Sequence, residues 1–254
     1  MCLMNNQRKN SKGFTLIEIS IVLLIVAILL GYTVALFPVQ QELKQYRTAN
    51  AEMERIIDAV YAYAQVNGRL PCAASLSAPD GIADPVIVGA AGCNTWYGFL
   101  PAKTLGIEGR YDASNSLLDP WGNRYRYQIT GHDSNSNGGD FALGGDMNTV
   151  TMSALSPDLQ ICSQIPTTSQ TVCESAAVTV AKDVPAVVLS LGKDGAIPAA
   201  VSNIQLENTD NSLTDTVFIK STKSDVVGAE FDDIVKWIAP NILYSKMIDA
   251  GLLP

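Results

Sequence analysis

Residues 13–38 read GFTLIEISIVLLIVAILLGYTVALFP, and this stretch decides what the rest of the chain has to be. From residue 14 to residue 37 it is apolar apart from a few small polar side chains, Tyr32 and one carboxylate, Glu18. A helix needs about 20 apolar residues to cross a bilayer, so residues 14–38 predict a transmembrane half-helix. Arg8, Lys9 and Lys12 precede it, and the first thirteen residues carry no acid. Basic flanks stay on the cytoplasmic side, which sends the remainder of the chain out. A secretory signal has a shorter apolar core and an Ala-x-Ala-like cleavage site, and no such site follows cleanly here. A plain signal anchor holding an exported enzyme or binding protein is the alternative reading.

Glu18 argues against a plain anchor. A charge in a spanning helix costs about 2.5–3.5 kcal/mol near the centre and less near an end, and such residues usually have a partner and a function. The run contains no basic residue. Cleavage after Gly13 would create an α-amino group on Phe14, four residues before Glu18, and that amine could neutralise the Glu18 carboxylate of a neighbouring copy.

Lys12-Gly13-Phe14-Thr15-Leu16-Ile17-Glu18, followed by its apolar run, resembles the processing site of type IV prepilins and type II secretion pseudopilins. The resemblance implies a leader, residues 1–13, that a prepilin peptidase removes after Gly13. It also implies N-methylation of Phe14 and docking of each subunit through Glu18. The implied partners are the peptidase, other pilin or pseudopilin subunits, and an inner-membrane assembly platform. The implied location is the inner membrane, single pass, with the head in the periplasm, and a pilus or pseudopilus after assembly. The head is large for a major subunit, which suggests a minor one. Retention of Glu18 disfavours the extreme tip position.

Past the apolar run the pattern turns amphipathic over residues 39–67. Leu43, Tyr46, Met53, Ile56, Ile57, Val60, Tyr63 and Ala64 recur at helical spacing, with charged residues filling much of the other face. Asn67-Gly68 is a stop signal. The prediction is one helix of about 54 residues, about 80 Å long, with Gly31 and Pro38 as its kink points because Pro38 cannot donate to residue 34. Residues 68–254 make the head. The expected fold class is α+β, the helix lying on an antiparallel β-sheet in a loop-rich head.

Charged residues are 17% and apolar residues 47%, which excludes a disordered chain. Without the first thirteen residues, 14 basic side chains stand against 25 acidic ones, a net charge of −11. That balance argues against nucleic acid as a general partner. Cys72, Cys93, Cys162 and Cys173 all follow the anchor, an even set in an exported domain, which predicts disulfides. Three pairings are open. Cys72–Cys93 with Cys162–Cys173 is preferred because each closes a short loop, and buried free thiols are the alternative.

Within the head, Val86-Ile87-Val88 is a short apolar run, and residues 96–101 read as aromatic core filler. Leu118-Asp119-Pro120-Trp121-Gly122-Asn123 reads as a tight turn into an alternating strand, residues 124–129, with Tyr125, Tyr127 and Ile129 inward and Arg124, Arg126 and Gln128 outward. This pattern is similar to the turn into the sheet of type II secretion pseudopilins, where its role is structural. Further strands are expected at residues 178–180, 186–191, 216–220 and 231–238, and a short helix at residues 240–250. Residues 205–215 read as a polar loop.

Asp133, Asn135 and Asn137 follow the opening of a calcium-binding loop, with Asp140 or Asp146 as substitute ligands, and the resemblance implies calcium in a comparable loop of major pseudopilins. The twelfth position is Gly144 rather than the bidentate Glu such a loop needs, which favours a solvated turn-forming loop. Among catalytic arrangements there is no Gly-x-Ser-x-Gly, no His-Glu-x-x-His and no phosphate-binding glycine loop. His132 is the single histidine, and Asp232-Asp233 on a strand would point opposite ways. The expectation is a structural subunit, not an enzyme.

Overall fold

The computed structural model describes residues 13–85, 92–167, 171–195, 203–209, 215–226 and 229–253, with the side chains of residues 31–37 outside the description. The chain divides into two compact units, Met1–Gln45 and Tyr46–Pro254. The leader up to residue 12 and the run Val86-Ile87-Val88 lie outside the described residues.

Helix α1 is Leu16–Asn67. It starts two residues later than Phe14 and continues through Gly31 and Pro38 without a break in its assignment. It stops at Gly68, whose φ of +66° is the left-handed conformation that ends helices. In the first unit every described side chain from residue 16 to residue 30 is exposed. Among the described residues no helix is long and apolar enough to cross a membrane.

The second unit is layered. β1 (Tyr97–Phe99), β2 (Arg126–Ile129), β5 (Ala186–Ser190) and β7 (Ile234–Trp237) form an antiparallel sheet in the order β1-β2-β5-β7. The end of α1 covers one face. Ala49, Met53, Ile56, Ile57, Val60 and Ala64 share a core with Tyr125, Tyr127, Ile129, Ala186, Val188 and Ile234. The other face packs on a second sheet in the order β4-β3-β6, from β3 (Leu159–Cys162), β4 (Thr179–Val184) and β6 (Val217–Ile219). There Val187, Leu189 and Val235 meet Leu159, Ile161, Val184 and Phe218. β5 is therefore covered on both faces, the physical reason its sequence AVVLS is nearly continuous in apolar residues.

The expected single antiparallel sheet is thus corrected to two sheets, and the second is mixed, because β3 runs antiparallel to β4 but parallel to β6. β1 lies inside the stretch taken for filler, and β3 was not expected at all. Leu43 and Tyr46, placed on the buried face by spacing, are exposed; burial starts at Ala49, and Tyr61 joins it. Gln128 is buried rather than outward because the second layer covers that face. Asp232 and Asp233 precede β7 instead of lying in it. Two one-turn helices are present among the described residues, α2 (Asp146–Thr149) and α3 (Asn203–Leu206), and the loop read at residues 205–215 begins inside the second. Helix α4 (Pro240–Asp249) carries Pro at its start, and Gly251 follows it with φ +71°.

Both local cysteine pairs are bonded, Cys72–Cys93 across 21 residues and Cys162–Cys173 across 11. The first ties the segment after α1 into the main core. The second closes the loop after β3.

Candidate processing and assembly site

The N-terminal motif has a defined local geometry. Gly13, Phe14 and Thr15 precede the helix, and Phe14 is 80% exposed. The Thr15 hydroxyl accepts from the Glu18 N–H at 3.3 Å, while Glu18 Oε2 accepts from the Thr15 N–H and from the Thr15 hydroxyl, each at 3.2 Å. This is a capping box, a reciprocal arrangement that satisfies two of the donors left open at a helix start. Thr15 is the residue that motif reading passed over, although Thr-x-x-Glu before an apolar run is its sequence signature. All three of these bonds leave Glu18 Oε1 uninvolved.

From Ile19 to Leu30 the helix carries no polar side chain except Ser20 and is apolar around its whole circumference. Leu16 is 89% exposed, and Leu23 and Leu24 are more than 60% exposed. A helix with no polar face needs a covering that this unit does not supply.

The Asp119 turn is well built. Asp119 Oδ1 accepts from the N–H groups of Trp121, Gly122 and Asn123 at 3.0, 2.8 and 2.9 Å, and Oδ2 accepts from the Ser190 hydroxyl at 2.7 Å. Gly122 has φ +100°, which a side chain would strain. Burial raises the Asp119 carboxyl above its ordinary pKa even against these bonds. The turn is thereby fixed to β5 through Ser190. Tyr125 reaches α1 instead, donating to Glu52 Oε2 at 2.8 Å.

The loop over residues 132–146 does not gather its acids around one point. Asp133 accepts from the N–H groups of Asn137 and Gly138 at 3.1 and 2.9 Å. Burial pulls its carboxyl up, but the backbone N–H bonds outweigh this and hold it below the usual range. Asp140, fully buried, accepts from the Ser134 N–H and hydroxyl, with His132 Nε2 at 3.6 Å. Asp146 accepts from the amides of Asn135 and Asn137 and from Thr149. A calcium ion needs six to eight oxygens turned toward it, whereas here each carboxylate faces its own N–H and O–H donors. Among the described residues no group of three acids, histidines or cysteines is placed to hold a metal. These bonds fold the loop against the end of α1, where the Leu70 N–H donates to Phe141 O at 2.8 Å and the Gly145 N–H to Gly68 O at 3.3 Å.

Asp232 and Asp233 are tied into the segment around α3. Gln205 Nε2 donates to Asp232 Oδ1 at 2.7 Å and to Asp194 Oδ1 at 3.0 Å, and Asn208 Nδ2 donates to Asp233 Oδ2 at 2.8 Å. Burial pushes Asp233 up to about 8, with Asn208 opposing and Asp232 and Asp194 adding to the shift.

No curated protein and no solved structure matches the chain. Residues 8–34 match the model of the prokaryotic N-terminal methylation motif. With Gly13, Phe14 and the Glu18 capping box inside that match, the chain carries the prepilin-type signature of the type IV pilin and pseudopilin family.

Proposed function

We propose that this chain is a minor pilin or pseudopilin. It is made as a precursor, cut between Gly13 and Phe14 by a prepilin peptidase, and N-methylated on Phe14. It then assembles with other pilin-like subunits, through an inner-membrane platform, into a type II secretion pseudopilus or a type IV pilus. The observation that carries this reading is the methylation motif over residues 8–34. The exposed apolar surface of residues 16–30 supports it, since a bilayer before assembly and neighbouring helices afterwards would supply the missing cover. In this reading the sequence run of residues 14–38 is a single-pass anchor and the head lies in the periplasm.

Glu18 has a double role in this account. Its Oε2 caps the helix through Thr15. Its Oε1 takes the α-amino group of a neighbouring subunit, the amine that cleavage creates. An isolated carboxylate in apolar surroundings is costly, and a charge partner offsets that cost.

Mass spectrometry of the chain isolated from membranes tests the reading. The expected mature N-terminus is N-methylphenylalanine at position 14. An intact residue 1, or a terminus far downstream of Phe14, would sink it.

A further inference from the structure

Arg126 on β2 stands opposite Phe99 of β1 and Leu189 of β5, on the face that turns toward the second sheet. Arg124 precedes it and is neutralised by Asp112, Nε to Oδ2 at 2.6 Å. Arg126 has no carboxylate within ion-pair distance among the described residues. Its Nε is closed off from solvent and donates to no acceptor. The contact it does make is with the Phe99 ring, whose centre lies 4.5 Å from the guanidinium carbon. Burial presses the Arg126 guanidinium below its ordinary pKa, the Tyr97 phenol opposes this, and Arg124 adds to it. A charge held away from water is ordinarily paired, and this one is not.

A cavity of about 180 Å³ opens at Arg126. Leu191 and Leu206 give it apolar walls, and Asp194 and Asp233 line it as well. The segment around α3 forms one side, held in place by the Tyr97 hydroxyl, which donates to Asn208 O at 3.2 Å. Asp194 shares the Gln205 amide with Asp232, and the Asn208 amide goes to Asp233 Oδ2, so Asp233 Oδ1 has no part in these bonds. Asp233 also carries the repulsion of Asp232 and Asp194 on top of its burial. The cavity thus joins an uncompensated cation to a group of crowded carboxyls. Water could fill it and satisfy hydrogen bonds, but would leave both charge imbalances in place.

We propose that this cavity binds a small zwitterion of the amino-acid class, its carboxylate forked onto Arg126 and its ammonium set against Asp194 and Asp233. A guanidinium matches a carboxylate through two parallel bonds. An ammonium beside the carboxyls offsets their mutual repulsion. Phosphate would suit Arg126 but bring its second charge toward two acids, and a metal cation would face the guanidinium. A cavity of about 150 Å³ accepts benzene, so this ligand has roughly six to eight non-hydrogen atoms, with Leu191 and Leu206 covering its carbon chain.

The test is isothermal titration calorimetry of the full-length protein in detergent micelles at low ionic strength. The probes are alanine, 4-aminobutyrate and 5-aminopentanoate, which space their two charges differently. The expected result is saturable binding of at least one probe, with the matching alkyl carboxylate and alkyl amine binding at least tenfold more weakly. Arg126→Gln and Asp194→Asn should each weaken that probe at least tenfold, and Lys182→Gln should leave it unchanged. No saturable binding of any probe overturns the proposal. So does equal affinity for the alkyl carboxylate or for inorganic phosphate, unchanged affinity in either site variant, or equal loss in Lys182→Gln. If Arg126→Gln loses its thermal transition, Arg126→Met takes its place under the same criteria, because it keeps an unbranched chain and removes only the charge.

Discussion

The first and last parts of α1 share one backbone conformation and differ in everything around it. Over residues 16–30 the side chains are all exposed and, apart from Glu18 and Ser20, all apolar. Over residues 46–67 only one stripe is apolar, and Ala49, Met53, Ile56, Val60 and Ala64 on it are completely buried. The first part encodes a need for other molecules. The second encodes a fold, because its stripe has a sheet to lie on within the same unit. The difference teaches that apolar content and burial are separate quantities: the more apolar part is the one its own unit leaves uncovered.

The largest effect that could break this comparison concerns processing. Gly13→Leu should abolish cleavage, leaving the full precursor mass, while the thermal transition of the head stays unchanged. Nothing lies within 4 Å of a Cβ built on Gly13, so the substitution meets no clash within the chain. A cleaved Gly13→Leu chain would detach the first part of α1 from the role given to it.

On the head side, Cys72→Ser/Cys93→Ser should cost about 2–4 kcal/mol, read as a lower denaturant midpoint, with N-terminal processing intact. An unchanged midpoint would mean that the layered core needs no cross-link there.

The third effect is a pH dependence confined to the head. The folded-state pKa of Asp233 is raised to about 8, mainly by burial. The folded state then holds a proton that the unfolded chain releases near pH 4. This contribution is complete below about pH 4 and is lost as pH rises toward 8. Asp119 and Asp232 are shifted in the same direction. Thermal melts of the wild type should therefore show a falling midpoint between pH 5 and pH 8, and Asp233→Asn should flatten the slope. A midpoint that rises over this interval would contradict the burial of that carboxyl.

The smallest effect returns to the N-terminus. Thr15→Ala removes the capping hydroxyl and should destabilise the first helical turn by about 1 kcal/mol. Hydrogen exchange of the amides of residues 16–19 in micelles would read this as roughly fivefold faster exchange, with head amides unaffected. Equal exchange in variant and wild type would show that the capping box contributes nothing in solution.

What could be read without coordinates was local. Gly13-Phe14 and Glu18 are a contiguous motif, and Asn67-Gly68 ends the helix by backbone chemistry that neighbours do not alter. β5 and α4 could be located because a dense apolar run and a Pro-to-Gly bracket are local signals too. β3 was illegible because four residues, LQIC, give too short an alternation to stand out from loop. β1 was hidden because aromatic residues next to Gly and Pro also suit a turn.

The sequence by itself determined the two characters of α1, the prepilin-type motif, the acidic balance of the chain beyond residue 13 and the even cysteine set, because composition, charge and periodicity are properties of the covalent chain. The tertiary structure alone decided that the head has two sheets, with β3 and β6 parallel. It also decided that Leu43 and Tyr46 stay outside, that the loop carboxylates over residues 133–146 each turn to nearby N–H and O–H donors, and that Arg126, Asp194 and Asp233 share one cavity. The reason is that each of these depends on which distant segment arrives at a given face, and a local pattern carries no record of that arrival.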